Sequence, residues 1–116
     1  MTTSSRALGD PGYENVSPPK LKGRLDAGER PVLLDVRERW EWELARIEGS
    51  TLLPLSGINE RYRELDPDAE TVVICHHGAR SARVADALTR AGFNRVSNLE
   101  GGLDAYADVD ESVPRY

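Results

Sequence analysis

Short apolar runs alternate along the chain with stretches in which apolar residues recur every three or four positions, the alternation expected of a sheet threaded by helices. Val32-Leu33-Leu34-Asp35-Val36 and Thr71-Val72-Val73-Ile74 are too short for helices and predict strands buried on both faces of a parallel sheet. Thr51-Leu52-Leu53-Pro54-Leu55 reads as a strand whose Pro54, lacking an N–H, belongs at an edge. Arg95-Val96-Ser97-Asn98-Leu99 reads as the last strand, and Tyr13 to Val16 as a short edge strand. Between them, Ser17 is placed to cap a helix with Pro18 and Pro19 in its first turn, presenting Leu21 and Leu25 and ending at Gly28. Glu38 to Ala45 predicts a short helix with Trp40, Trp42 and Leu44 in the core or at its rim, and Gly57 to Leu65 a helix with Ile58, Tyr62 and Leu65 on one face. Ala82, Ala85, Leu88 and Ala91 form an apolar stripe on a helix that stops at Gly92, with Arg83, Asp86 and Arg90 on its other side. A final helix from Leu103 runs out into the acidic Asp108-Val109-Asp110-Glu111. Residues 1–12, rich in Ser, Thr, Gly and Pro, predict a flexible lead-in. The sum is an α/β fold over residues 13–116, three layers α/β/α with a mostly parallel sheet of about five strands.

The chemistry concentrates at one junction. Cys75-His76-His77-Gly78-Ala79-Arg80-Ser81 holds the only cysteine and both histidines of the chain, between the carboxyl end of a strand and the start of a helix. Open α/β sheets place ligands beyond the carboxyl ends of their strands, and a helix amino terminus offers unpaired N–H groups and a positive dipole end. Free cysteine titrates near roughly 8.5, and thiols in such positions ionise more readily, which makes a nucleophile of them. A lone cysteine is also a common small core residue, and both readings stand on local grounds. Asp35 and Arg37 end an earlier strand that can border the same crevice; as an ion pair they would fix loops rather than do chemistry.

Composition narrows the classes. The 116 residues fit one domain and leave no length for a second folded partner. Apolar runs of about five residues fall far short of the roughly 20 needed to span a bilayer, so no membrane association is expected. One cysteine cannot close an internal disulfide, and the first residues lack an apolar signal segment, which makes a reducing cytoplasm the default. A net charge of -5 argues against nucleic acid. Locally, Arg80, Arg83, Arg90 and Arg95 face only Asp86 between Cys75 and Arg95, a basic island suited to small anions or to a solvated helix face.

Four segments together resemble the rhodanese domains, which carry sulfane sulfur as a persulfide on one cysteine. Cys75 to Ser81 is similar to that family's active-site loop, and Leu34-Asp35-Val36-Arg37-Glu38 to its Asp-x-Arg strand end. Glu100-Gly101-Gly102-Leu103-Asp104-Ala105-Tyr106 resembles its Gly-Gly turn and short helix, and Val113-Pro114-Arg115-Tyr116 the ending of many single-domain members. The resemblance spans roughly residues 13 to 116. It departs at Arg46-Ile47-Glu48-Gly49-Ser50, where many members have a histidine before Ile-Pro-Gly-Ala, and at Tyr106, where tryptophan is common.

The resemblance implies a sulfurtransferase of the thiosulfate type. Cys75 would be the catalytic residue, His76, His77, Gly78, Ala79, Arg80 and Ser81 would bind substrate, and Asp35 and Arg37 would support the site. The implied donor is thiosulfate, another small anion or a persulfide-carrying protein, and the acceptor cyanide or a thiol, with no cofactor. Three readings compete. Zinc is disfavoured because adjacent residues do not wrap a tetrahedral ion and no other Cys or His exists. Cysteine-dependent phosphatases and arsenate reductases separate cysteine and arginine by five residues, one more than lie between Cys75 and Arg80. A non-catalytic binding or regulatory module has no need of the cysteine.

Overall fold

The computed structural model describes residues 12–116, so the lead-in expected over residues 1–12 lies outside it except for Gly12. Five parallel strands form one sheet in the order β1-β5-β4-β2-β3, with β1 at Glu14–Val16, β2 at Val32–Asp35, β3 at Thr51–Leu52, β4 at Thr71–Ile74 and β5 at Val96–Leu99. The helices are α1 (Pro18–Asp26), α2 (Arg39–Leu44), α3 (Ile58–Arg61), α4 (Ala79–Arg90) and α5 (Gly102–Tyr106). The expected α/β/α architecture is observed, with every strand pair parallel.

Strand alternation produces the three layers. Leu33, Val72 and Ile74 point to one face and pack with Leu21, Leu103, Tyr106 and Val113, while Leu34, Val36, Val73 and Cys75 point to the other and pack with Val84, Ala85, Leu88 and Phe93. The two short strands, β1 and β3, take the edges, and Pro54 falls just beyond β3, where its missing N–H costs nothing. Chain direction reverses across the sheet between β2 and β4: from β2 the chain runs outward to β3, then returns to β4 and continues to β5. Asp35 pairs with Ile74 there, so Asp35 and Cys75 emerge side by side at the topological switch point.

Three helices differ from their expected form. In α2 the tryptophans do not make the core: Trp40 is 61% exposed, Leu44 56%, and the side chain turned inward is Glu41. The segment 57–65 is a single α turn between two 3-10 turns, Leu55–Gly57 and Tyr62–Glu64, although Ile58, Tyr62 and Leu65 still pack against the core. In α4 the buried stripe is Ser81, Val84, Ala85 and Leu88, not a strict three-residue series, because 3.6 residues per turn carries such a series off the face and leaves Ala91 exposed.

Candidate active site

The Cys75 thiol is buried at the bottom of a cup of donors. The Gly78 N–H points at Sγ from 3.0 Å and the Ser81 N–H from 3.3 Å, with the Ser81 hydroxyl also 3.3 Å away. The loop curls this tightly because Gly78 adopts φ +102°, a left-handed conformation that glycine takes without steric cost. Ser81 lies on the buried face of α4, and its hydroxyl proton serves one acceptor at a time: the sulfur, the Gly78 carbonyl at 3.2 Å, or Asn98 Oδ1 on β5. Asn98 Nδ2 donates in turn to Asn15 on β1, which ties the cup to the sheet edge.

The outer side of the loop is fixed from α5. Leu103 N–H donates to the Cys75 carbonyl at 2.8 Å and Asp104 N–H to the His76 carbonyl at 3.0 Å. Gly102, at φ +66°, passes so close that a Cβ there would lie 2.4 Å from the His76 oxygen. The Gly-Gly turn is therefore a contact element of the loop.

Charge is organised around α2. Arg37 is fully buried and grips both oxygens of Asp35, donates to the carbonyls of Glu41 and Ala45, and reaches the Tyr116 hydroxyl. Burial opposes its charge, but the hydrogen bonds to Asp35 and Tyr116 outweigh that and raise its pKa. Arg80 does not stand free: both its Nη atoms donate to Glu41, at 2.9 and 3.0 Å, and its pKa is raised by that pairing. The Arg80 hydrogen bonds pull the Glu41 carboxyl down to about 2 against burial, with the Glu38 N–H and Tyr116 hydroxyl adding to them. Of the other island arginines, Arg90 pairs with Asp86 and Arg95 donates to the Asp68 carbonyl.

His76 and His77 stack on each other with centroids 4.0 Å apart, and Tyr116 stacks on His76 from 4.2 Å. Burial, then the neighbouring His77, lowers the His76 pKa, which favours the neutral ring. The fold also brings Asp104 to the pair, so that ligand atoms of His76, His77 and Asp104 lie within 4.8 Å of one another, a juxtaposition that counting Cys and His in the sequence misses. Rings stacked at 27° do not aim their lone pairs at one point, so this arrangement is not preorganised for an ion held at about 2.0–2.1 Å from each nitrogen.

The fold brings Asp35, Arg37, His76, His77, Gly78, Arg80 and Ser81 around Cys75 through the contacts above, while Ala79 begins α4 and, like His77, is exposed. Glu41, Asn98 and Tyr116 were not assigned roles from the sequence. A trace of Glu41 exists there, since a glutamate three residues after Glu38 fits a capping box, but that pattern predicts a helix start and not a buried ion pair.

Known proteins resemble this chain in sequence and in fold. YtwF of Bacillus subtilis, provisionally named a sulfurtransferase, is 37% identical over 93 residues, which cover 80% of this chain and 89% of YtwF. MoeZ of Mycobacterium tuberculosis, provisionally named an adenylyltransferase/sulfurtransferase, is 38% identical over 94 residues; these are 79% of this chain but 24% of MoeZ, so the chain spans about a quarter of that relative. The crystal structure of a rhodanese-related protein from Thermoplasma volcanium superposes with a TM-score of 0.78 at 30% identity, covering 88% of this chain and 98% of that one. With the rhodanese-like domain model matching residues 17–108, from the cap of α1 to beyond α5, the chain belongs to the rhodanese-like domain family.

Proposed function

We propose that the protein is a sulfurtransferase that carries sulfane sulfur as a persulfide on Cys75. The observation that carries this reading is the convergence of the Gly78 N–H, the Ser81 N–H and the Ser81 hydroxyl on one sulfur. Preorganised donors around a single atom stabilise negative charge on sulfur in the thiolate and in the persulfide alike. In the first half-reaction the Cys75 thiolate attacks the outer sulfur of a donor, the donor's S–S bond breaks, and sulfite leaves if the donor is thiosulfate or a thiolate if it is a persulfide. In the second, a thiol or cyanide attacks the outer sulfur of the persulfide and the Cys75 thiolate leaves. His76, His77 and Ala79 form the entrance over which donor and acceptor approach, and Asp35 and Arg37 hold the loop's surroundings. No general base is required by an ionised thiol. The reducing cytoplasm fits this chemistry because it keeps the single thiol free.

The phosphatase or arsenate-reductase alternative requires an arginine turned to the oxyanion. Arg80 instead gives both Nη atoms to Glu41, and the donors converge on one atom rather than around a tetrahedral group. Among the described residues no helix is long and apolar enough to cross a membrane.

Intact-mass measurement after exposure to thiosulfate, and separately to a low-molecular-weight alkyl persulfide, tests the proposal. A gain of one sulfur, located on Cys75 and discharged by cyanide or thiol, is expected. No gain from either donor would overturn it.

A further inference from the structure

Of the arginines from Arg80 to Arg95, Arg80 pairs with Glu41, Arg90 with Asp86, and Arg95 donates to the Asp68 carbonyl, whereas Arg83 has no hydrogen-bond or ion-pair partner among the described residues. Arg83 stands at a groove between α3 and α4 of about 520 Å³, a volume within the range of small-molecule sites. Local structure opens this groove. The chain before β4 makes one α turn between two 3-10 turns, too little helix to cover α4, and α4 offers only the small side chains of Ala87 and Ala91 there. The rest of the lining joins the buried Val84 and Leu88 to the half-buried Ile58 and Tyr62. No aspartate or glutamate lines the groove, so Arg83 is the one charged side chain along a mainly apolar surface. The acids nearby in sequence are already engaged, Asp86 by Arg90 and Glu64 by Arg61, and Arg63 stacks over the Tyr62 ring at 5.5 Å, a second positive charge on that side.

We propose that this groove is a second binding site, for an apolar monoanion: a carboxylate on a medium-length hydrocarbon chain, with the chain along α4 and the carboxylate on Arg83. Arginine presents a carboxylate with two parallel N–H donors, and the apolar lining takes the chain out of water. From Val84 to Ala91 the groove follows α4 for roughly 10 Å at about 1.5 Å per residue, room for an extended chain of about eight carbons. None of the residues from Cys75 to Ser81 lines it, so the site is separate from the thiol and does not depend on the function proposed above.

Titration of the isotope-labelled protein with octanoate, followed by backbone amide shifts, tests this, with butanoate and octan-1-ol as comparison ligands. Octanoate should shift the amides of Ile58, Tyr62, Ala87 and Ala91 saturably, with a Kd below about 1 mM. Butanoate should bind about tenfold more weakly, because each methylene it lacks contributes about twofold when half buried. Arg83→Gln, at an exposed position, should weaken octanoate about threefold and leave octan-1-ol, which has no charge, within about twofold. Added salt should weaken octanoate alone. Ala87→Leu, also at an exposed position, puts a larger side chain into the groove and should weaken both ligands. The absence of saturable shifts at these amides up to about 10 mM octanoate overturns the proposal, and so does an octanoate affinity that Arg83→Gln leaves unchanged. If the same amides shift with protein concentration alone, the occupant is a second copy of the chain and the proposal fails.

Discussion

Leu103 donates its backbone N–H to the carbonyl of Cys75, the proposed sulfur carrier, across 2.8 Å. Cys75 is thus positioned from two directions, its side chain by the start of α4 and its main chain by the start of α5. The Gly-Gly turn before Leu103 lets the second contact form, because only a residue without a Cβ passes the His76 carbonyl so closely.

Gly102→Ala should accordingly destabilise the protein by about 2–4 kcal/mol, combining a left-handed backbone with a clash against main-chain atoms that have no rotamer to yield. Gly49→Ala is the matched control. Gly49 has φ +86° and nothing within 4 Å of its ideal Cβ, so it should cost only about 1–2 kcal/mol. Urea unfolding of the two variants measures the difference, and equal losses would show that the close approach to the loop contributes nothing.

Cys75→Ser should fold with a melting temperature within a few degrees of the wild type, since the serine hydroxyl can accept from the same Gly78 and Ser81 N–H groups. It should gain no sulfur from any donor. Retained transfer to cyanide in a clean preparation would remove Cys75 from the mechanism.

Asp35→Asn leaves Arg37 buried without its counter-charge, a change that typically costs about 3–5 kcal/mol. Thermal unfolding should show a large loss, while the folded fraction, quantified by native gel or near-UV dichroism, still loads sulfur. Normal stability with no loading would instead place Asp35 among the reacting groups.

Tyr116→Phe removes a hydroxyl that donates to Glu41 and accepts from Arg37, and keeps the ring that stacks on His76. The expected loss is about 1–2 kcal/mol, because Arg37 retains its other partners while one of its N–H groups is weakened. Chemical denaturation measures it. Burial, with the Glu41 hydrogen bond, pushes the Tyr116 hydroxyl up to about 12, so it stays protonated and this contribution should hold constant across neutral and mildly alkaline pH.

Acid should uncover the Glu41 pair. The folded carboxyl titrates at about 2, below its ordinary 4.5, so its stabilisation is complete above 4.5 and is lost as the pH falls through 2. With Arg80 partly exposed and screened, the pair should contribute about 2 kcal/mol at neutral pH. The stability difference between the wild type and Glu41→Gln should therefore be constant above pH 5 and narrow progressively below it, and a difference independent of pH down to 2.5 would contradict the assignment.

The sequence by itself determined the strands, the loop and the layer order. Thr71 to Ile74 can be satisfied only by burial on both faces, and a strand ending in cysteine before a glycine and an amphipathic helix leaves few places for the thiol. Short-range period and local chemistry are enough for those, and Cys75, Gly78 and Ser81 all lie within seven consecutive residues. The hydrophobic pattern of α2 was misleading for a physical reason. Its tryptophans suggested a face in the core or at its rim, and Trp42 is half-buried, yet the one side chain of the helix that the tertiary structure turns fully inward is Glu41, because Arg80, 39 residues later in the chain, and Tyr116, 75 later, supply partners that offset its desolvation. Asn98 is of the same kind, a polar residue in the middle of β5 whose partners Ser81 and Asn15 come from α4 and from the strand alongside. Which arginine stands free and which is neutralised depends on contacts between residues far apart in the chain, and only the folded chain brings those together.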